Sequence, residues 1–113
     1  MKKIEAIIRP NVLEEVKNAL DKFGISGLTI TQVIGCGLQK GHTGVYRGQE
    51  MSINLLPKIK LEVVIKTELL EDVLEVISDA AKTGQVGDGK IFVFDVIDAL
   101  RIRTNERGRN ALS

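Results

Sequence analysis

Residues 84–90 read GQVGDGK. Glycines let a backbone turn tightly and leave its N–H groups uncovered, and Lys90 adds a cation, a pairing that suits an anion such as phosphate. The spacing Gly84-x-x-x-x-Gly89-Lys90 matches the opening of a P-loop. Ile91, however, stands where that motif needs a Mg²⁺-binding Ser or Thr, and a strand pattern follows instead of a helix. A Walker-type NTPase is therefore excluded, leaving an anion-binding turn or a plain tight turn into a strand. Arg101 and Arg103 flank Ile102. In an extended segment both guanidiniums would face one side, where each could grip a polyphosphate with two hydrogen bonds; a solvated charged tail is the other reading. Gly35-Cys36-Gly37-Leu38-Gln39-Lys40-Gly41 places three glycines around a strand end. It is not a dinucleotide fingerprint, because Lys40 stands at the third glycine's place and no helix follows. It could still form a second anion-binding turn. Cys36 reads as a small buried hydrophobe, and His42, the single histidine, as a solvated loop residue.

The elements that must carry these residues come in two copies. Residues 3–16 (KIEAIIRPNVLEEV) align without a gap on 60–73 (KLEVVIKTELLEDV), with Lys3/Lys60, Glu5/Glu62, Ile8/Ile65, Leu13/Leu70, Glu14/Glu71 and Val16/Val73 identical. We read one supersecondary unit used twice. Each copy opens with a strand (2–9 and 58–66) whose apolar residues alternate loosely. An amphipathic helix follows. Val12, Leu13, Val16, Ala19, Leu20 and Phe23 mark the first, and Leu69, Leu70, Val73, Val76, Ile77 and Ala80 the second. Asn11 and Thr67 are the expected N-caps, with Glu14 completing a capping box and Gly24 ending the first helix. Each copy closes with another strand, 28–35 and 90–96. The order βαβ, connection, βαβ predicts an α+β, ferredoxin-like βαββαβ sandwich, both helices on one face of a four-stranded sheet. The other face would carry Lys3, Glu5, Ile7, Thr29, Thr31, Val33, Glu62 and Val64, a mixture that suits partial cover by other subunits.

The connection, residues 37–56, carries four glycines and far exceeds the usual ~4–6 residues between elements. A functional loop or a longer β-ribbon is expected there, about 37–55. The last stretch, about 104–113, is polar and expected to be loose. The 113 residues form one domain (1–113). Sixteen Lys and Arg against 15 Asp and Glu give a net charge of +1, which offers no electrostatic case for direct nucleic-acid binding. One cysteine excludes an intrachain disulfide. The short apolar run before Arg9 does not read as an export signal, so a cytoplasmic protein is expected.

MKKIEAIIRP, GCGLQKGHT, YRG, TGQVGDGKIFVFDV and RIRT together, in this order and spacing from residue 1 to about residue 104, resemble the PII nitrogen-regulatory signal transduction family. The start of the connection resembles a branch found in Gram-positive bacteria. The resemblance implies a homotrimeric regulator, not an enzyme, with three sites in the clefts between subunits. By similarity Gly87, Asp88, Gly89, Lys90, Arg101 and Arg103 would hold the phosphates of ATP or ADP. Thr29, Glu62, Val64 and the backbone from Gly35 to Gly37 would receive the adenosine, with Leu38 alongside. Gln39 would ligate Mg²⁺ together with ATP and 2-oxoglutarate. Lys58 would pair with the distal carboxylate of 2-oxoglutarate, and the backbone of Gly37, Gln39, Lys40 and Gly41 would take the rest of it. The long connection would be the family's effector-binding loop, with Tyr46 and Arg47 meeting the partner. An ammonium transporter, a glutamine synthetase or a nitrogen transcription regulator is implied, and the membrane would be reached only through the channel.

Two departures stand out. Met51 and Gln49 occupy the positions where other members carry a modifiable tyrosine and serine. Leu38 stands where many have an arginine near the phosphates, which bears on the balance between ATP and ADP. Two rival classes share the element order. A nucleotide-binding enzyme would need a readable nucleophile and base, and an RNA-binding module would need aromatic residues on a third strand that reads KIKLEVVIK.

Overall fold

The structure is a computed structural model that describes residues 1–46 and 49–112, with backbone alone for residues 37–46 and 49–54. Strand β1 (Lys2–Ile8) leads through a 3₁₀ turn (Pro10–Val12) into helix α1 (Leu13–Phe23). Strand β2 (Thr29–Tyr46) and strand β3 (Gln49–Ile65) follow. A second 3₁₀ turn (Thr67–Leu69) opens helix α2 (Leu70–Ala81), and strand β4 (Lys90–Asp95) closes the sheet. The order across the sheet is β2-β3-β1-β4, every neighbouring pair antiparallel. That is the expected split βαβ arrangement.

Register explains the core. Ile4 faces Val63, Ala6 faces Leu61 and Ile8 faces Ile59 across the β1–β3 ladder. Side chains alternate along a strand, so these pairs share one face, and all six are buried. Val16 and Leu20 of α1 and Val73, Ile77 and Ala81 of α2 close over them. Each fully buried aliphatic side chain contributes about 1.5–3 kcal/mol by leaving water. The sheet outruns the helices along β2 and β3. Ile34 and Leu55 continue the inward register but lie beyond helical cover, and remain largely exposed.

The opposite face holds an ionic lattice. Lys3 pairs with Glu62 at 3.4 Å, and Lys60 lies 3.7 Å from Glu5 and 3.8 Å from Glu62. Lys3 also sits 4.8 Å from the centre of the Phe94 ring. Phe92 and Phe94 stand half-exposed on this face.

Local expectations are corrected in several places. Asn11 does not cap α1: Pro10 fixes a 3₁₀ turn in which Asn11 is the middle residue, and no side chain caps either helix start. Thr67 likewise begins a 3₁₀ turn, and its hydroxyl instead accepts from the Met1 amino group at 3.0 Å. Gly24 does end α1 in the left-handed conformation. The long connection takes the ribbon form, its backbone paired from Gly35↔Leu56 to Tyr46↔Gln49 with a register shift between Lys40 and Val45. Cys36 is exposed rather than buried, because it lies on β2 past the end of helical cover. The C-terminal stretch is tied down rather than loose. Leu100 bridges to Arg107, the Gly108 N–H donates to Ala99 O at 2.9 Å, and Arg109 pairs with Glu68.

Candidate functional site

The turn between α2 and β4 is built around one carboxylate. Asp88 accepts from the N–H groups of Thr83 and Gly84, both at 2.9 Å, and from the Thr83 hydroxyl. Arg9, from the end of β1, donates to it at 3.2 Å. These bonds, the Thr83 hydroxyl foremost, hold the Asp88 carboxyl far below its ordinary value of 3.8. The expected phosphate contact through Asp88 is therefore revised at its side chain: the carboxylate is spent on shaping the turn.

Two cations then orient the turn's peptides. Arg9 Nη2 donates to Val86 O at 2.7 Å, and Lys58 Nζ to Gly87 O at 2.6 Å. In a trans peptide the C=O and N–H point opposite ways. Holding those two carbonyls turns the N–H groups of Gly87 and Asp88 away from them, and neither N–H donates a hydrogen bond within the described residues. Two N–H groups left free in a turn that leads into Lys90 have the make-up of an anion-binding concavity. Glycine is obligatory at residue 89: φ is +103°, and an added Cβ would lie 1.8 Å from Ile7 O. Gly87 shares that φ and lies flat against the Arg9 guanidinium, 3.1 Å from where its Cβ would be.

A cavity of about 530 Å³ opens at this turn, lined by Ile7, Lys58, Gln85, Phe92 and residues 87–90. It brings together Lys58, Gly87, Asp88, Gly89 and Lys90 of the expected site. Gly35 is next to it through Lys58, whose Cγ lies 3.3 Å from a Cβ built on that glycine. Thr29, Glu62 and Val64 lie elsewhere. They line a smaller cavity, about 270 Å³, near Ala111 and Leu112, four residues further along β3 or about 13 Å at the usual strand rise. Gly37, Leu38, Gln39, Lys40 and Gly41 lie on the ribbon backbone of β2. The side chains of Leu38, Gln39, Lys40 and Tyr46, and Arg47 as a whole, fall outside the described residues.

Arg101 and Arg103 line neither cavity. Their segment is not extended, as the shared-side reading required. It is a turn closed by Asn105 N–H to Arg101 O at 2.8 Å and Arg101 N–H to Glu106 O at 2.9 Å. Arg101 pairs with Glu106 at 3.0 Å while its Nη2 is buried without a partner among the described residues. Arg103 is exposed. Within one chain, then, the expected site residues form separate groups instead of surrounding a single cavity. Arg9 is the residue that sequence reasoning missed. Its only signal was its place as a cation at the end of β1, matched by Lys66 in the second copy.

The family model described as nitrogen regulatory protein P-II matches residues 1–106. This chain belongs to the P-II family. The P-II protein of Rhodospirillum rubrum is 54% identical over 112 residues, covering 99% of this chain and 100% of that one; the Haemophilus influenzae protein of the same name matches to the same extent. Among solved structures, GlnK of B. subtilis in its ATP complex superposes with a TM-score of 0.85 at 41% identity, covering 98% of this chain and 96% of that one. Arabidopsis thaliana PII bound to citrate gives 0.79 at 39%, covering 97% and 90%. The P-II resemblance read from the sequence is thereby established over nearly the whole chain, fold included. No helix among the described residues is long and apolar enough to cross a membrane.

Proposed function

We propose that this P-II protein is a cytoplasmic homotrimeric sensor of ATP, ADP and 2-oxoglutarate that regulates nitrogen assimilation through its long ribbon. The observation that carries the reading is the turn at residues 83–90, where two N–H groups without a partner among the described residues sit in a glycine-rich loop that shares a cavity with Lys90. Those donors suit phosphate, and the ATP complex of B. subtilis GlnK supports nucleotide binding in a protein of this family. Asp88 contributes its N–H, while its carboxylate keeps the turn in shape. Lys58, at the same cavity, suits a carboxylate ligand, and the citrate complex of the Arabidopsis relative supports carboxylate binding in that protein. Gln39 would hold Mg²⁺, which supplies charge neutralisation between nucleotide and 2-oxoglutarate. Arg101 and Arg103 would reach the phosphates of a neighbouring subunit's nucleotide, and Thr29, Glu62 and Val64 would meet adenosine. Partner contact through Tyr46 and Arg47 would engage an ammonium transporter, a glutamine synthetase or a nitrogen transcription regulator.

The test is calorimetric titration of 2-oxoglutarate into the protein with Mg-ATP, with Mg-ADP and with neither. Binding is expected only with Mg-ATP. Lys58→Ala should weaken 2-oxoglutarate while sparing ATP. Binding of 2-oxoglutarate without nucleotide, or an unchanged Lys58→Ala, would overturn the shared-site reading. No nucleotide binding at all would overturn the sensor reading itself.

A further inference from the structure

We infer that Arg9 is a positioning residue of the nucleotide site, fixing the turn at residues 83–90 in its anion-binding shape before any ligand arrives. The inference rests on the nucleotide reading above and adds to it the part that prepares the site. Arg9 leaves the end of β1 with extended backbone, φ −66° and ψ 144°. Its guanidinium then makes three contacts with a turn more than seventy residues away. Nη2 holds Val86 O at 2.7 Å, Nε holds the Asp88 carboxylate at 3.2 Å, and the planar group lies against Gly87. No single one of these contacts would set the turn. Together they fix a peptide plane, a carboxylate and the space over a glycine, which a planar fork of donors does and a point charge does not. The carboxylate passes the constraint on by gripping the N–H groups of Thr83 and Gly84 at the turn's other end. Arg9 thus acts on the ligand through the orientation of Gly87 and Asp88 N–H, and is itself turned toward carbonyl and carboxylate oxygens.

The discriminating variant is Arg9→Lys, which keeps the charge and removes the fork. It should fold, because the equivalent position in the second copy carries Lys66 with nearly the same backbone, φ −65° and ψ 141°. Two readouts are paired. In the ligand-free protein, amide hydrogen exchange at Thr83 and Gly84 should quicken roughly tenfold or more as the carboxylate loosens, while exchange within α1 and β3 stays unchanged. In calorimetric titration, Mg-ATP affinity should fall by about tenfold, the scale of one lost charge-assisted hydrogen bond. In an Asp88→Asn background the further loss from Arg9→Lys should shrink, since the two residues act as one brace. Unchanged exchange at Thr83 and Gly84 would overturn the brace. Faster exchange with unchanged Mg-ATP affinity would overturn its role toward the ligand. Absence of Mg-ATP binding in the unsubstituted protein is a different failure, that of the nucleotide reading, and removes the inference with it.

Discussion

At the scale of single residues, Asp88 shows how a carboxylate can sit within a turn proposed to bind anions without facing them. Its carboxylate faces Thr83, Gly84 and Arg9, and the chain's geometry delivers its N–H elsewhere. The consequence is a pH dependence with a definite sign. The folded-state pKa is depressed below the ordinary 3.8, so the stabilisation is fully present above the unfolded value and is lost as pH falls through the folded one. Asp88→Asn should be less stable than the unsubstituted protein at neutral pH, and that gap should close on acidification. Urea unfolding midpoints measured between about pH 5 and pH 2 check this. A gap that stays constant over that range would mean the carboxylate is not held as described. The amide cannot substitute, because it brings donors to a place already facing four. In the sequence, Asp88 was legible as a member of a glycine-rich turn and as a site residue by resemblance. The inward use of its side chain was not, because Arg9 meets it only once β1 and β4 are paired, and the Thr83 contact depends on how the turn itself closes.

At the scale of elements, strands and helices were legible because burial enforces their periods. Ile4, Ala6 and Ile8 alternate, and Val16 and Leu20 recur at helical spacing, for the plain reason that each faces the same core. Entry points were not. Asn11 and Thr67 have cap chemistry, yet in both copies a 3₁₀ turn comes first and the helix starts two or three residues later. Turn geometry there is set by how strand and helix must join, which cap propensity does not register. The Arg101–Thr104 segment failed for a similar reason: its pattern allows an extended piece, and the Glu106 and Asn105 bonds fold it into a turn. The β2–β3 ribbon is the element whose paired backbone continues well past the helices. Among the described residues the core is drawn from outside this outer part, so deleting residues 42–51 should leave the fold and Mg-ATP affinity unchanged, while partner capture is lost. A thermal unfolding midpoint lowered by more than a few degrees, or weakened Mg-ATP binding, would show that the outer ribbon serves the body of the protein instead.

At the scale of the whole molecule, the dispersion of the site becomes an argument about assembly. Lys90 and Lys58 share one cavity, Thr29, Glu62 and Val64 another, and Arg103 lines neither. The face between them carries half-exposed Phe92 and Phe94 and an ionic lattice, which is poor as a wet surface and suitable as a covered one. In a closed ring, a residue group on one flank of a chain meets a different group from the next chain at every junction. A nucleotide site made that way would take Lys90 from one subunit and Arg103 from its neighbour. Complementation tests this directly. Lys90→Ala and Arg103→Ala proteins should each bind Mg-ATP weakly when pure. Unfolded together in equal amounts and refolded, they should regain tight binding at about a quarter of all sites, the share of junctions at which random assortment in a ring pairs both native residues. No recovery in a mixture confirmed to contain mixed assemblies would place Lys90 and Arg103 at the same chain's site. Tight binding would then require the 100–107 turn to move onto the glycine loop of its own chain, against the Leu100–Arg107 bridge and the Arg109–Glu68 pair that now hold it.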